Sequence, residues 1–156
     1  MFEGRLVAIY VAPDEGKPME SLGEVRAVAG KGLAGDRYAI AAGTYSGVHR
    51  SDAERAVTFI EREAVRGAVA EYGVELEEQE TRRNLVTEGV PLNHLVGQEF
   101  TVGGVRFRGV DLAEPCAYLE DQTRQGVRKA LVHRGGLRAE ILDDGTLHVG
   151  DTITPG

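Results

Sequence analysis

The chain has 156 residues, of which 42% are hydrophobic, and a formal net charge of -7 at pH 7. This length and composition fit a single domain, residues 1–156, that buries a core without disulfides or a structural metal. The acidic charge argues against a nucleic-acid partner, because phosphate neutralisation needs a surplus of Lys and Arg on at least one face. We find no apolar run of membrane length, no secretory leader pattern and only one cysteine, so we expect a cytoplasmic protein without a membrane partner.

The first half of the chain predicts short strands joined by turns. Residues 5–11 are rich in β-branched and aromatic side chains, and residues 22–28 alternate weakly between apolar and polar types. Three glycines within residues 30–35 allow either a strand connection or an anion-binding loop, although the Gly-Lys-Ser/Thr ending of a phosphate loop is missing. Residues 38–52 have no periodicity and are predicted to form a long loop, either ordered or mobile.

One clear helix is predicted, at residues 61–72. Apolar residues recur at helical spacing from Ala64 to Tyr72, and Gly73 is expected to end the helix. Just before it, residues 56–60 predict a short buried strand, although their charged flanks also allow a helix that starts near residue 52. Residues 75–80 carry four carboxylates, which predicts a solvated connection and not a metal site.

The second half predicts a more regular series of strands. Gly103 and Gly104 are a two-residue turn signal between two alternating segments, which predicts a hairpin. A helix is predicted at residues 122–132 and a helical turn at residues 92–96. The remaining predicted strands lie at residues 84–87, 98–102, 105–110, 137–142, 146–149 and 151–153. This pattern, with 21 glycines spread along the chain, favours a β-rich domain.

The only cysteine, Cys116, lies between a predicted strand and a polar, helix-like run. Pro115 fixes its own φ angle and biases Glu114 toward an extended conformation, so we expect Cys116 to be held at a stiff strand end. Two arginine-rich segments, residues 81–84 and 133–138, would favour the thiolate if the fold brings them close. A lone cysteine is also often a small buried hydrophobe, and the residues alone leave both interpretations open.

Six short segments carry a further signal. They are Gly-Leu-Ala-Gly-Asp-Arg-Tyr at 32–38, Val-Thr-Phe-Ile-Glu at 57–61, Arg-Arg-Asn-Leu-Val at 82–86, the strand at 97–102, Glu-Pro-Cys at 114–116 and His-Arg-Gly-Gly-Leu-Arg at 133–138. In this order they resemble the MOSC domain family, named for the C-terminal domain of molybdenum cofactor sulfurase. The resemblance implies a mainly β fold, an antiparallel barrel-like domain with a few short covering helices. It also implies a molybdenum-cofactor-binding or sulfur-carrier protein.

The resemblance aligns the family's cysteine with Cys116, which is thus the candidate catalytic residue and metal ligand. Molybdenum and sulfane sulfur both favour a soft thiolate. The cofactor's phosphate suits arginine forks, and Asn84 could bind a polar pterin edge. The candidate cofactor-binding residues are Asp36, Arg37, Arg82, Arg83, Asn84, His133, Arg134, Gly135 and Arg138. Many compact relatives have a second cysteine where this chain has Ala113, a difference that removes dithiol chemistry.

Three functional interpretations follow, and the sequence does not separate them. In the first, the protein binds molybdenum cofactor (molybdopterin) or carries sulfur on Cys116. It then acts either in reduction of N-hydroxylated compounds with an electron-donor protein or in cofactor sulfuration with a sulfur-donor protein. In the second, a non-enzymatic module holds the cofactor or an anionic metabolite in the same pocket. In the third, Cys116 is a thiol redox sensor. We do not expect pyridoxal phosphate, and the oligomeric state stays open.

Overall fold

The computed structural model of the chain describes residues 1–13, 18–36 and 52–156, which form mainly short strands. Arg37 and the loop predicted at residues 38–52 lie outside these ranges, apart from residue 52. The strands are β1 (Gly4–Val11), β2 (Glu20–Leu22), β3 (Glu24–Val28), β4 (Gly32–Leu33), β5 (Val57–Glu61), β6 (Leu85–Glu88), β7 (Glu99–Val102), β8 (Val105–Leu112), β9 (Leu137–Ile141), β10 (Gly145–His148) and β11 (Thr152–Pro155). The helices are α1 (Arg62–Tyr72), α2 (Ala117–Gln122) and α3 (Val127–Ala130), with short 3-10 helices at Asp52–Arg55, Glu78–Thr81 and Leu92–Leu95.

Seven of these strands close into a barrel in the order β11-β7-β8-β9-β5-β6-β1, because β1 pairs again with β11. Within this barrel every pairing is antiparallel except β5 with β6. Strand β2 adds to the outer edge of β1, and β10, β3 and β4 form a separate small sheet. The barrel-like, mainly antiparallel fold expected from the sequence is thus confirmed.

Three phenylalanines fill the barrel interior. The ring centroid of Phe59 lies 5.3 Å from those of Phe100 and Phe107, in edge-on contacts, and the last two rings stack at 5.7 Å. All three side chains are fully buried. Strands β7 and β8 alternate buried and more exposed positions, as β8 does from Val105 to Gly109, whereas β5 buries both Phe59 and Ile60. This alternation places one face of each strand in the core and leaves the other face for the helices and the site.

Helix α1 packs on the outer wall of the barrel and ends at Gly73, as the sequence predicts. Gly73 has a φ of 66°, and its N–H donates to the carbonyl of Val69. The buried residues of α1 are Val65, which packs with Ile60 and the strands beside it, and Ala68. The predicted apolar face also included Val69 and Tyr72, which are 37% and 41% exposed. The buried face is narrower than predicted because only one side of α1 meets the barrel and the other helices.

Two predicted elements have different bounds. The strand expected at residues 22–28 breaks at Gly23, since β2 pairs with β1 whereas β3 pairs with β10. Of the helix expected at residues 122–132, only α3 forms, whereas α2 ends at Gln122, and Gly126 adopts a φ of 97° between the two helices. The carboxylate of Glu120 accepts N–H bonds from Gly126 and Arg128, which fixes this break. In the described part of the chain, no helix has both the length and the apolar character that crossing a membrane requires.

Gly136 and Gly150 provide a matched test of how tightly β9 enters the barrel. Both have φ angles that side chains rarely adopt, 109° and 101°, so alanine is strained at either position. A Cβ on Gly136 would lie 1.9 Å from the carbonyl oxygen of Phe59, whereas one on Gly150 would meet nothing within 4 Å. We expect Gly136→Ala to lower the free energy of unfolding by about 2 kcal/mol more than Gly150→Ala does. Urea denaturation of both variants measures this, and equal losses would show that the Gly136 contact is not limiting.

Candidate functional site

Cys116 lies just beyond the end of β8 and forms the N-cap of α2. Its backbone is extended, with φ −130° and ψ 172°, and the residue is half-buried. The side chain packs against an apolar cluster that joins the three helices and consists of Ala68, Leu119, Val127, Ala130 and Leu131. The sulfur is therefore at a junction between the barrel wall and the helices, where one side is apolar.

The segment that leads to Cys116 is hydrogen-bonded through Ala113 to two other parts of the chain, Gly136 and Arg83. The N–H of Ala113 donates to the carbonyl of Gly136 at 2.8 Å. The carbonyl of Ala113 accepts from Nη2 of Arg83 at 2.7 Å, and the Nε of the same guanidinium donates to the carbonyl of Gly135, also at 2.7 Å. Because the fork of Arg83 is planar and rigid, these two bonds set the spacing between the two backbone segments.

Gly135 makes this close approach possible. A Cβ at this position would lie 2.4 Å from the carbonyl oxygen of Ala113 and 3.1 Å from Cδ of Pro115. Any side chain would therefore push the segment that carries Cys116 away from β9. The candidate residue Gly135 acts here by having no side chain.

A second set of hydrogen bonds holds the same segment at the surface, between Glu114 and His133. Both oxygens of Glu114 bond to His133, one to its backbone N–H and one to Nδ1, each at 2.7 Å. The carbonyl of His133 accepts from Nδ2 of Asn93, also at 2.7 Å. His133 holds a φ of 62°, which is uncommon for a residue with a side chain. The histidine is 79% exposed, so its ion pair with Glu114 contributes little stability, and its main effect is on loop position.

Asn84 and Asp36 form a buried polar pair that links strand ends. Asn84 is 3% exposed, and its Oδ1 accepts from the backbone N–H and the hydroxyl of Thr58 at 3.1 and 3.2 Å. Its Nδ2 donates to the carbonyl of Tyr10 and to Oδ1 of Asp36, which also accepts from the N–H of Ala12. The side-chain oxygen and nitrogen of Asn84 are thus both bonded within the chain. In this structure the two residues join β1, β5 and β6.

Arg138 lies across from Asp111 on the outer face of the β8–β9 pair. Its Nη1 donates to Oδ1 of Asp111 at 3.2 Å and to the carbonyl of Leu112 at 3.1 Å. Within the described ranges, its Nε and Nη2 make no hydrogen bond. The side chain is 26% exposed. Arg138 can therefore offer two further donors to an anion near the end of β8.

Arg134 contacts the helices, and the backbone of Arg82 ends a 3-10 helix. Arg134 donates from Nε to the carbonyl of Ala130 at 2.8 Å, pairs with Glu71 at 3.2 Å and lies 5.7 Å from the ring centroid of Tyr72. It thereby ties α3 to α1. Arg82, with a φ of 63°, ends the 3-10 helix at Glu78–Thr81. The structure thus brings Arg83, Gly135 and Arg138 to the segment before Cys116, while Arg134 serves the helices.

Sequence reasoning gave no role to Glu114, Asp111 or Ala113, although each contacts a candidate residue. Glu114 was in a matched segment, and its position before Pro115 is a signal that could have drawn attention to it. Asp111 could not be found from spacing because the register between β8 and β9 decides its partner, and Ala113 could not because its partners, Gly136 and Arg83, lie on distant segments.

The described ranges contain no group of three or more His, Cys, Asp or Glu side chains that could hold a metal ion.

A shallow depression lies beside His133, which contacts Glu114 in the segment before Cys116. It is lined by Glu61, Glu63, Ala64, Pro91, Asn93, His94, His133 and Arg134. Burial raises the pKa of Glu61 above its ordinary value, and the nearby charge of Glu63 raises it further. The N–H of Leu92, which donates to Oε2 of Glu61 at 3.2 Å, and the proximity of His94 act in the opposite direction. Ionisation of the Glu61 carboxyl is therefore less favourable in the folded protein than in the unfolded chain.

This raised pKa of Glu61 predicts a pH-dependent effect of Glu61→Gln. The folded state keeps the proton to higher pH than the unfolded state, so wild-type stability falls as pH rises from about 4.3 through the raised value. Glutamine keeps an oxygen for the N–H of Leu92 but has no charge. We expect the free energy of unfolding of Glu61→Gln, relative to wild type, to increase from pH 3 to pH 7 in urea titrations. A difference that stays constant or decreases over this range would contradict the assignment.

Comparison with known proteins places this geometry in a family. The family model of the MOSC domain matches residues 31–154. No curated protein matches the chain. YuaD from Bacillus subtilis has a similar structure, with a TM-score of 0.78 and 17% identity over 98% of this chain and 97% of that one. YiiM from Geobacillus stearothermophilus gives 0.72 and 14% over 98% and 75%, and YiiM from Escherichia coli gives 0.64 and 18% over 100% and 70%. The structures support the fold, and the family match shows that the chain belongs to the MOSC domain family, which is linked to molybdenum cofactor binding.

Proposed function

We propose that this protein binds molybdenum cofactor through the thiolate of Cys116. The observation that carries the proposal is the placement of the chain's only thiol at the fastened junction between β8 and α2, inside the family match. A soft thiolate is the ligand that a soft metal or sulfane sulfur requires, and no other side chain here supplies one. When bound, the cofactor supplies two-electron redox chemistry.

The remaining residues fit this proposal in different ways. Arg138 has two donors beyond those it uses in the described chain, and it lies at the end of β8 from which the segment carrying Cys116 leaves. These donors suit a phosphate or another anionic group. The apolar helical cluster beside Cys116 shields one side of the sulfur from water. Asn84 and Asp36 support the proposal indirectly, because they hold the strands on which these groups are placed.

A sulfur-carrier role is the second candidate, and the cysteine count favours it over dithiol chemistry. The chain has a single cysteine, and the position three residues before it is Ala113, which is buried. A persulfide on Cys116 would therefore face no second thiol of its own chain that could attack it. Mass spectrometry of the purified protein separates the two roles, because a carrier shows one added sulfur and a cofactor-binding protein contains molybdenum and pterin.

Substitution of the cysteine tests the proposal directly. Cys116→Ser keeps the size nearly constant but replaces the soft thiolate by a hard hydroxyl, so the fold should survive while the bound molybdenum is lost. Elemental analysis of wild type and Cys116→Ser, each purified from a host that makes the cofactor, gives the result. Equal molybdenum content in both, with unchanged circular dichroism, would overturn the role of Cys116 as ligand.

The arginines give a second, graded prediction. We expect Arg138→Ala to weaken cofactor binding by about 1.5–3 kcal/mol, the range of a charge-assisted hydrogen bond. Arg134→Ala tests the same anchor role expected from the sequence, but its contacts with Glu71 and Ala130 predict a smaller loss of binding and a larger loss of stability. Arg106→Ala is the control, because Arg106 binds Asp143 at the other end of β8. Equal affinity in Arg138→Ala and the control would remove the anchor role of Arg138.

A further inference from the structure

We propose that Arg83 is a positioning residue for Cys116: its guanidinium fixes the backbone that presents the thiol. The role assigned to the thiol rests on the proposed function, whereas the role of Arg83 rests on its hydrogen bonds. These bonds go to backbone carbonyls of three segments, namely Thr81 at 3.4 Å, Ala113 at 2.7 Å and Gly135 at 2.7 Å. The two short bonds are charge-assisted and leave from different nitrogens of one rigid plane.

The position of Cys116 follows from that of Ala113 because little freedom lies between them. Only Glu114 and Pro115 separate the two residues, and the ring of Pro115 fixes its own φ. Both backbone groups of Ala113 are bonded, its N–H to Gly136 and its carbonyl to Arg83. Removing the fork would release the carbonyl side of this link and leave the segment held only by the N–H of Ala113 and the side chain of Glu114 among these bonds.

The direction of the fork separates positioning from ligand binding. The Nε and Nη2 atoms of Arg83 point at the carbonyls of Gly135 and Ala113, 2.7 Å away. A substitution at Arg83 should therefore change the mobility of Cys116 even in protein without cofactor. Lysine keeps the charge but offers a single ammonium in place of the planar fork, so it should not restore the placement.

A spin label on the single cysteine tests this in the cofactor-free chain. The probe is a nitroxide methanethiosulfonate reagent, and the readout is its electron paramagnetic resonance line shape in wild type, Arg83→Lys and Arg83→Gln. We expect a several-fold shorter correlation time of the label in both Arg83 variants. The matched control is Arg106→Lys, since Arg106 makes a similar fork to Asp143 at the other end of β8, and its line shape should equal that of wild type.

Amide hydrogen exchange in unlabelled protein gives a local readout that does not depend on the label. The N–H of Ala113 should exchange about tenfold faster in Arg83→Lys than in wild type, because its segment opens more often. The N–H of Leu6, bonded to the carbonyl of Asp151 at 2.9 Å in the barrel closure, should change by less than about twofold. Faster exchange at Ala113 alone would indicate local opening of the segment before Cys116, whereas faster exchange at both Ala113 and Leu6 would indicate a general loss of stability.

Gly135→Ala provides an independent route to the same effect if Arg83→Gln fails to fold. It leaves Arg83 intact, but its Cβ would press on the carbonyl of Ala113. The label on Cys116 should again become more mobile. An unchanged line shape together with unchanged Ala113 exchange in Arg83→Lys would overturn the positioning role.

Molybdenum content, measured on the same variants in a cofactor-producing host, keeps the two proposals distinguishable. A mobile label in Arg83→Lys with no molybdenum in wild type would refute the proposed function and leave the role of Arg83 standing. Loss of molybdenum in Arg83→Lys with an unmoved label would make Arg83 an anion anchor and overturn the positioning role.

Discussion

Closure of the barrel by the pairing of β1 with β11 is the constraint on which the rest of this structure depends. Gly4 pairs with Ile153 and Arg5 with Thr152, so the first and last strands of the sheet meet and complete the ring. A closed ring leaves its seven strands without an unpaired edge, and it defines one inside face, which the three phenylalanine rings fill. Because the inside is fully used, the helices and the candidate site lie on the outer wall.

The candidate site lies on the outer wall of the barrel, where two consecutive glycines, Gly135 and Gly136, let neighbouring backbone segments approach each other closely. Gly136 passes against the carbonyl of Phe59 in β5, and Gly135 passes against the carbonyl of Ala113 beyond β8. These contacts bring the entry to β9 between its two neighbouring strands and place the loop of His133 beside the segment that carries Cys116. The arginine fork then bridges what the glycines have brought together. The close approach of the backbone at these two glycines is thus what allows the guanidinium of Arg83 to bond to both segments.

Many strands and α1 could be predicted from the sequence because their signals are local, whereas the barrel was implied by the resemblance to the MOSC domain family. The period of two in β8, the Gly103-Gly104 turn and the apolar spacing of α1 each need only a few neighbouring residues. The break between α2 and α3 could not be predicted in this way, because it depends on the carboxylate of Glu120 bonding to Gly126 across the turn. For the site, the segments that contain Arg83, Gly135 and Cys116 were identified. The partners of the arginines could not be, because they follow from strand register, as for Arg138 and Asp111, or lie on distant segments, as for Arg83 and Ala113. The sequence therefore indicated a group of arginines, whereas in the structure Arg83, Arg134 and Arg138 contact different parts of the chain.

The distribution of charge explains how an acidic chain can still offer a site for an anion. Several basic side chains elsewhere in the described chain are paired with carboxylates, as in Arg62 with Glu78, Arg124 with Glu80 and Arg106 with Asp143. Such pairs at the surface contribute little stability and cancel each other's field. Near Cys116, Arg83 bonds to the carbonyls of Gly135 and Ala113, and Arg138 bonds to Asp111 and to the carbonyl of Leu112. Within the described ranges, Nε and Nη2 of Arg138 remain available as donors to an anion near the end of β8, although the net charge of the chain is -7.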